Sequence, residues 1–293
     1  MNKHGIAVEG SDISGIRSTT LKKYNILKGL ISKMNSAAIA FSGGVDSTFL
    51  LKVCSDVQGF DALAVTAKSE TFPKRELEQA KFLARQMPVT HVIIQSEELN
   101  IPGFTDNPPD RCFMCKNELF SKVKQLADEY GLAWVFDGSN ADDADDFRPG
   151  RKAAKDLGVR SPLEESKLGK KEIRVLSKAI GLPTWNKPSY ACLSSRFPYF
   201  SKISRAALKQ VEKAESYLSQ FGMRVFRVRH HGTMARLELG KDEMRCLWQG
   251  NTRNQIVNYL KSIGYSYIAV DLEGYRSGSM NETLSDKEKY NTY

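Results

Sequence analysis

The sequence lacks any apolar run near the roughly 20 residues that a bilayer-spanning helix needs, which excludes such a helix. Within Met1–Gly10 there is no basic stretch leading into an apolar one, so no secretory signal is expected and the cytoplasm is the expected compartment. No glycine loop ends in Gly-Lys-Ser or Gly-Lys-Thr, which excludes a Walker-type nucleotide site. Internal repeats and low-complexity tracts are also missing, which sets aside repeat architectures. Cysteine is scarce: Cys54, Cys112, Cys115, Cys192 and Cys246 are five, an odd number in a chain without a signal, so a disulfide framework is not expected.

What remains is ordinary for a globular protein. The 293 residues suffice for two domains, with 41% hydrophobic and 26% charged residues. The net charge of +9 suits anionic ligands, whether nucleotides, phosphorylated small molecules or nucleic acid. Because the basic residues are dispersed, charge alone does not choose among these or against a plain solvated surface.

Short apolar runs alternating with amphipathic ones organise the first two thirds. A helix is expected over residues 19–34 and a strand over Ala37–Phe41. A helix over Thr48–Cys54 and a strand over Ala62–Ala67 follow. Further helices are expected over Lys74–Gln86, Lys116–Glu129 and Lys170–Ile180, with strands over Val89–Gln95 and Trp134–Asp137. Strands without alternation, separated by helices, predict a doubly wound α/β domain with a parallel sheet covered on both faces. Beyond about residue 200 the order changes to helix (Ser204–Gln220), strands (Arg224–Arg229 and Ala235–Leu239), a largely helical Lys241–Ile263, and a strand (Tyr265–Leu272). That predicts a smaller α+β domain. The expected division is an arm over 1–18, an α/β domain over 19–199, an α+β domain over 200–284 that binds substrate or forms oligomers, and a tail over 285–293, with the linker near Pro198–Ser201.

The most informative stretch is Ser42-Gly43-Gly44-Val45-Asp46-Ser47, placed between a buried strand and a helix. Gly43 and Gly44 let backbone approach a phosphate without Cβ interference, and the amides of the loop and helix start face the anion. Ser42 and Ser47 add hydroxyl donors. Asp46 makes sense beside phosphates if it holds Mg²⁺. The pattern resembles the PP-loop of ATP pyrophosphatases, which leave AMP on the substrate. In such a fold the nucleotide lies at the carboxyl ends of neighbouring strands, here around Ala67, Ser69 and Gly138.

Cys54 and Cys246 read as core residues. Cys112-Phe113-Met114-Cys115, set just before the helix expected from Lys116, forms with Cys192 a three-thiolate set. Three thiolates on a [4Fe–4S] cluster leave one iron open. Zinc with further ligands, a disulfide and a catalytic thiol are the other readings. Asp142, Asp143, Asp145 and Asp146 read as an exposed acidic loop rather than a metal site. His230 and His231 are set aside because successive strand side chains point to opposite faces.

Phe41–Ser47, Asp137-Gly138 through Gly150, Trp185-Asn186-Lys187, Ser194–Tyr199, Arg227-Val228-Arg229 and Asp271–Asn281 together resemble the LarE family, PP-loop sulfur transferases of nickel-pincer nucleotide biosynthesis. The likeness runs from about residue 19 to 284. It implies ATP-dependent adenylation of a pyridinium-3,5-dicarboxylate mononucleotide, then conversion of its carboxylates to thiocarboxylates for the cofactor of lactate racemase. It implies ATP, Mg²⁺, a sulfide donor and a homo-oligomer, with no membrane or nucleic-acid partner. One branch of the family sacrifices a single cysteine, here at Cys192. Another holds a [4Fe–4S] cluster on three, here Cys112, Cys115 and Cys192, and the three cysteines match the second. Asp46, Cys192 and Lys116 are then the expected catalytic residues. Arg196, Arg227 and Arg229 are expected on the substrate's phosphate or carboxylates. The competing functions are a [4Fe–4S] tRNA thiolase, an amide-forming PP-loop ligase and a non-catalytic nucleotide sensor. Extra RNA-binding or zinc-ribbon modules would mark the first, and the ligase would leave the three cysteines unexplained.

Overall fold

The computed structural model describes residues 15–143 and 150–285. Most of the expected arm, the tail, Asp145, Asp146 and Phe147-Arg148-Pro149 lie outside them. The chain forms two units. The first takes the chain up to Ser69, then Lys74–Ser96 and Cys112–Ser189; the second takes Glu70–Pro73, Glu97–Arg111 and the chain from Tyr190 onward.

In the first unit the elements are α1 (Ser18–Ser32), β1 (Ser36–Ala40), α2 (Val45–Asp56), β2 (Asp61–Lys68), α3 (Lys74–Ala84), β3 (Thr90–Gln95), α4 (Arg111–Glu129, entering from the second unit), β4 (Trp134–Phe136), α5 (Gly150–Asp156), α6 (Pro162–Glu165) and α7 (Lys170–Ala179). The strands lie in the order β3-β2-β1-β4, all parallel. Successive residues of β1 divide between the two faces. Ala37 and Ile39 enter a core with Leu27 and Ile31 of α1, Phe49 and Leu50 of α2 and Ile173 and Leu176 of α7. Ala38 enters the opposite core with Leu63, Val65, Val123, Ala127 and Val135. Each such Leu, Ile or Phe contributes about 1.5–3 kcal/mol by leaving water. The doubly wound sheet expected from the non-alternating strands is the one observed.

Two helix starts differ from expectation. α2 begins at Val45 instead of Thr48, so the glycine loop runs straight into its first turn. α4 begins at Arg111 instead of Lys116, where the Arg111 amide donates to the Pro108 carbonyl at 3.0 Å. Cys112 and Cys115 therefore lie within the first turns of a helix, not ahead of one.

The second unit carries α8 (Arg205–Ser219), β5 (Phe226–His231), β6 (Met234–Leu239), α9 (Lys241–Cys246), α10 (Thr252–Ser262) and β7 (Tyr267–Val270). β5 and β6 pair antiparallel, β6 and β7 parallel. The helix expected across Lys241–Ile263 is two helices, broken around Gly250, whose φ is +53°. Phe226 and Val228 point into a core with Ala214, Leu218, Ile256 and Leu260. Arg227 and Arg229 take the opposite face, in register with Glu238 and Arg236. Pro198–Ser201, the expected linker, lies inside this unit, where the Phe200 amide donates to the Asn107 carbonyl at 3.0 Å.

Candidate active site

In the first unit β1 has β2 on one side and β4 on the other. The chain leaves β1 toward β2 and reaches the far side only with β4, so the carboxyl ends of β1 and β4 flank the topological switch point where α/β sheets bind ligands. The glycine loop occupies the first of these ends and Asp137-Gly138 the second.

The loop is shaped by its own hydroxyls. Ser42 and Ser47 join through their Oγ atoms at 3.1 Å, the Ser42 amide donates to Ser47 Oγ at 3.3 Å, and the Gly44 amide donates to Ser42 Oγ at 3.3 Å. Gly43 has φ +67°, and a Cβ there would lie 3.0 Å from Ala80 Cα on α3. Gly138 is held by packing instead: a Cβ would come within 3.1 Å of the Ser47 amide nitrogen. The two glycines let the loop pack against α3 and the β4 end pack against the first turn of α2, whose N-terminal amides and positive dipole end suit a phosphate group. Ala67 and Ser69 stand at the carboxyl end of β2, next to β1.

Asp46 lies in the first turn of α2, with Oδ2 paired to Lys170 Nζ at the start of α7. Its Oδ1 is buried without a hydrogen-bond partner. A buried carboxylate oxygen left unsatisfied is costly and is what a cation would satisfy, so the site fits Mg²⁺. Burial pushes the Asp46 carboxyl above the usual aspartate range, Lys170 opposes the rise and Asp143 adds to it. A raised carboxyl favours folding while protonated and loses that contribution as pH rises through the shifted value; cation binding needs the ionised form and runs the other way. The Mg²⁺ dependence of ATP binding, followed by calorimetry from acidic to neutral pH, is therefore expected to weaken on acidification at a higher pH than an ordinary aspartate would give. Asp46→Asn should abolish the dependence; an unchanged profile in that variant would exclude Asp46 as the ligand.

Asp137 is the polar centre of the β4 end. It accepts from the Ser139 amide at 3.1 Å, Ser139 Oγ at 2.7 Å and Ser161 Oγ at 2.6 Å, and Lys116 Nζ lies 3.8 Å away. Lys116 thus reaches the nucleotide side of the sheet from α4, its stem passing over Gly150, where a Cβ would strike Cδ at 2.6 Å. Of the expected exposed acidic loop, Asp142 is exposed and Asp143 is not. Asp143 is buried and accepts from the Asn140 amide at 3.0 Å, and Asp142 accepts the Lys170 amide at 2.8 Å, capping α7.

Cys192, Arg196, Arg227 and Arg229 belong to the second unit. Cys192 precedes a 3₁₀ turn over Leu193–Arg196. Arg196, expected on a substrate anion, is 0% exposed. Its Nε and Nη2 donate to the two carboxylate oxygens of Glu215 at 2.8 and 2.9 Å, while Nη1 donates to the carbonyls of Ala191 at 2.8 Å and Cys192 at 3.1 Å. It holds the Cys192 backbone in place of the expected contact. Arg229 donates to the Ser195 carbonyl at 2.5 Å, to Glu238 at 2.6 Å and to Ser279 at 2.9 Å. Arg227 is stacked between the rings of Tyr190 and Tyr275, 4.8 and 4.9 Å from their centroids. Burial, then Arg196, push its guanidinium below the usual arginine range. His230 and His231 separate as expected, His230 bonding Tyr265 at 3.1 Å.

No protein-family model matches the chain. Among relatives, a pyridinium-3,5-bisthiocarboxylic acid mononucleotide synthase of Lactiplantibacillus plantarum is 36% identical over 92% of this chain and 97% of its own length. The chain belongs to the LarE family. An uncharacterized protein of Synechocystis is 41% identical over 90% of the chain and 98% of its own length. A glutamine-hydrolyzing GMP synthase component of Thermoplasma volcanium matches at 27% over 52% of the chain and 53% of its own length.

The five cysteines of this LarE-family chain are all free of disulfides. Burial pushes the Cys54 thiol far up, in keeping with a core residue. Cys112 and Cys115, three residues apart on α4, share one helix face in the first unit, and Cys192 belongs to the second. The pair suits two ligands of one centre. Among the described residues no group of three or more Cys, His, Asp or Glu side chains is gathered to hold a metal. Sequence reasoning missed Lys170, Lys187 and Glu215. The first two act on the loop from 124 and 144 residues away, and Glu215 reads as one more polar position on an amphipathic helix. Only Lys187 carried a signal, as part of Trp185-Asn186-Lys187.

Proposed function

We propose that this chain uses ATP to convert the two carboxylates of a pyridinium-3,5-dicarboxylate mononucleotide into thiocarboxylates. The observation that carries the reading is Asp46 Oδ1, buried and unpartnered in the first turn of α2, directly after the Gly43-Gly44 loop. A carboxylate is a poor electrophile. One of its oxygens attacks the α-phosphorus, the bond to the bridging oxygen breaks, and the electron pair leaves with pyrophosphate. A sulfur nucleophile then adds to the acyl carbon of the adenylate, and AMP departs with the carbon–oxygen bonding pair. The first unit's residues bind and orient the nucleotide: the loop amides and Ser47 hold phosphate, Asp46 would hold Mg²⁺, which when bound would screen phosphate charge, and Ala67, Ser69 and Gly138 line the nucleotide side. Lys116 adds positive charge near Asp137. Arg227 and Arg229 supply the second unit's charge for the substrate's own phosphate.

The finer reading gives Cys112, Cys115 and Cys192 to a [4Fe–4S] cluster, which when bound would supply reusable sulfide. Three thiols, two of them on one helix face, support it. Anaerobic purification is expected to give a brown protein with about four irons per chain. A colourless or zinc-loaded protein overturns the cluster and leaves Cys192 as a sacrificial sulfur donor. For the reaction, purified protein supplied with ATP, sulfide and the pyridinium mononucleotide should form AMP and thiolated product. Sulfur incorporation into bulk tRNA instead would overturn the assignment.

A further inference from the structure

Lys187 is a buried lysine, and its charge is held at the glycine loop. Its Nζ lies 2.7 Å from Glu76 Oε2, at the start of α3, and donates to the Gly43 carbonyl at 3.0 Å; both its side chain and that of Glu76 are at most 10% exposed. The segment that carries it is fixed from α7, where Arg174 donates to the carbonyls of Trp185 and Lys187, each at 2.7 Å. The partner carbonyl belongs to the residue whose φ of +67° sets the loop's turn and whose Cα side packs against Ala80. An ammonium has three N–H donors, and these two contacts use two of them.

Burying a lysine costs several kcal/mol even when paired; here the ammonium neutralises the buried Glu76 carboxylate and still has one N–H beyond these two contacts. The loop that Lys187 grips also carries Asp46, whose Oδ2 is already paired with Lys170, so two ammonium groups stand at the two ends of the phosphate cradle. They come from the start of α7 and from the segment just after it.

We propose that Lys187 is a further ATP-binding residue, directing its third N–H to the pyrophosphate half of ATP and stabilising the charge that gathers there on adenylation. The inference rests on the adenylation reading above. The substrate carboxylate oxygen bonds to the α-phosphorus, the bond to the bridging oxygen breaks, and its electron pair leaves with pyrophosphate. Lys187 donates a hydrogen bond throughout and transfers no proton.

The test compares ATP and AMP binding by calorimetry in wild type, Lys187→Met, Lys187→Arg and Glu76→Gln. A charge-assisted hydrogen bond to phosphate predicts that Lys187→Met weakens ATP by about tenfold or more, with AMP within about twofold and partial recovery in Lys187→Arg. Glu76→Gln, which keeps the shape but frees the ammonium from its carboxylate, is expected to bind ATP as tightly as wild type or tighter. Equal weakening of ATP and AMP in Lys187→Met would mean that Lys187 only shapes the loop, and unchanged ATP affinity would mean that it does not reach the phosphates; either overturns the proposal. If Lys187→Met does not fold, Glu76→Gln decides, and weakened ATP there overturns it. Failure of the wild type itself to bind ATP would overturn the adenylation reading, an outcome distinct from all of these.

Discussion

Replacing Glu215 with alanine is expected to cost about 3–5 kcal/mol of stability, because it strands a buried charge. Glu215 takes both oxygens to Arg196, at 2.8 and 2.9 Å, and its Oε1 also accepts the Val228 amide at 3.1 Å. Without it Arg196 stays fully buried with no counter-charge. Arg196 in turn grips the Ala191 and Cys192 carbonyls, so the loss should reach the loop that presents Cys192. Denaturant unfolding measures the cost; Glu215→Gln should lose less, since it keeps two acceptor lone pairs and the shape. A Glu215→Leu, Arg196→Met pair should recover part of the loss by removing both charges. Acid sensitivity follows the same pair. Burial alone would raise the Glu215 carboxyl, and Arg196 brings it below the usual glutamate range. Its contribution is therefore present above the ordinary value and lost as pH falls through the depressed one. Wild type should lose stability in that window and Glu215→Gln should not. Unfolding of Glu215→Ala within about 1 kcal/mol of wild type would show that the pair is dispensable.

The second large effect is expected at Gly43. Alanine at φ +67° costs about 1–2 kcal/mol in backbone strain, and its Cβ would sit 3.0 Å from Ala80 Cα, a backbone atom that cannot rotate aside. Either the loop or α3 must shift. A displaced loop no longer aims its amides at phosphate, so Gly43→Ala should weaken ATP by about tenfold or more while lowering stability by about 1–3 kcal/mol. Gly44→Ala is the contrast for stability. Gly44 has φ −77°, and its added Cβ meets only the Ser42 hydroxyl, at 3.2 Å. If Gly43→Ala binds ATP like wild type, the loop does not cradle the phosphates.

The parts of this protein legible in its sequence are those written in local patterns. The non-alternating runs at Ala37–Phe41 and Ala62–Ala67 read as buried parallel strands because both faces of the sheet are covered. The loop read as a phosphate cradle because two glycines and a helix start are contiguous. The start of α4 was not legible: Arg111-Cys112-Phe113-Met114-Cys115 carries no clear apolar period, and the Pro108 carbonyl that receives its first amide is a loop feature. Pairings across long separations left no trace either. Lys170 on Asp46 and Lys187 on Gly43 join a helix-rich later segment to the first strand, and nothing at either end marks the other. Arg196 shows the converse. Its place beside Cys192 was visible and suggested an anion contact, but its burial against α8 was not.

The chain passes from one unit to the other five times, at Ser69/Glu70, Pro73/Lys74, Ser96/Glu97, Arg111/Cys112 and Ser189/Tyr190. Ordinary two-domain enzymes are beads on a string; this one is braided. A nascent chain emerging from the ribosome therefore completes the first unit while holding two short segments whose own unit has not yet been synthesised. Those segments must wait for Tyr190 and everything after it. Expressing the halves as separate pieces cut near the middle would leave Glu70–Pro73 and Glu97–Arg111 on the wrong fragment, so the part each unit plays has to be probed by point substitution in the intact chain.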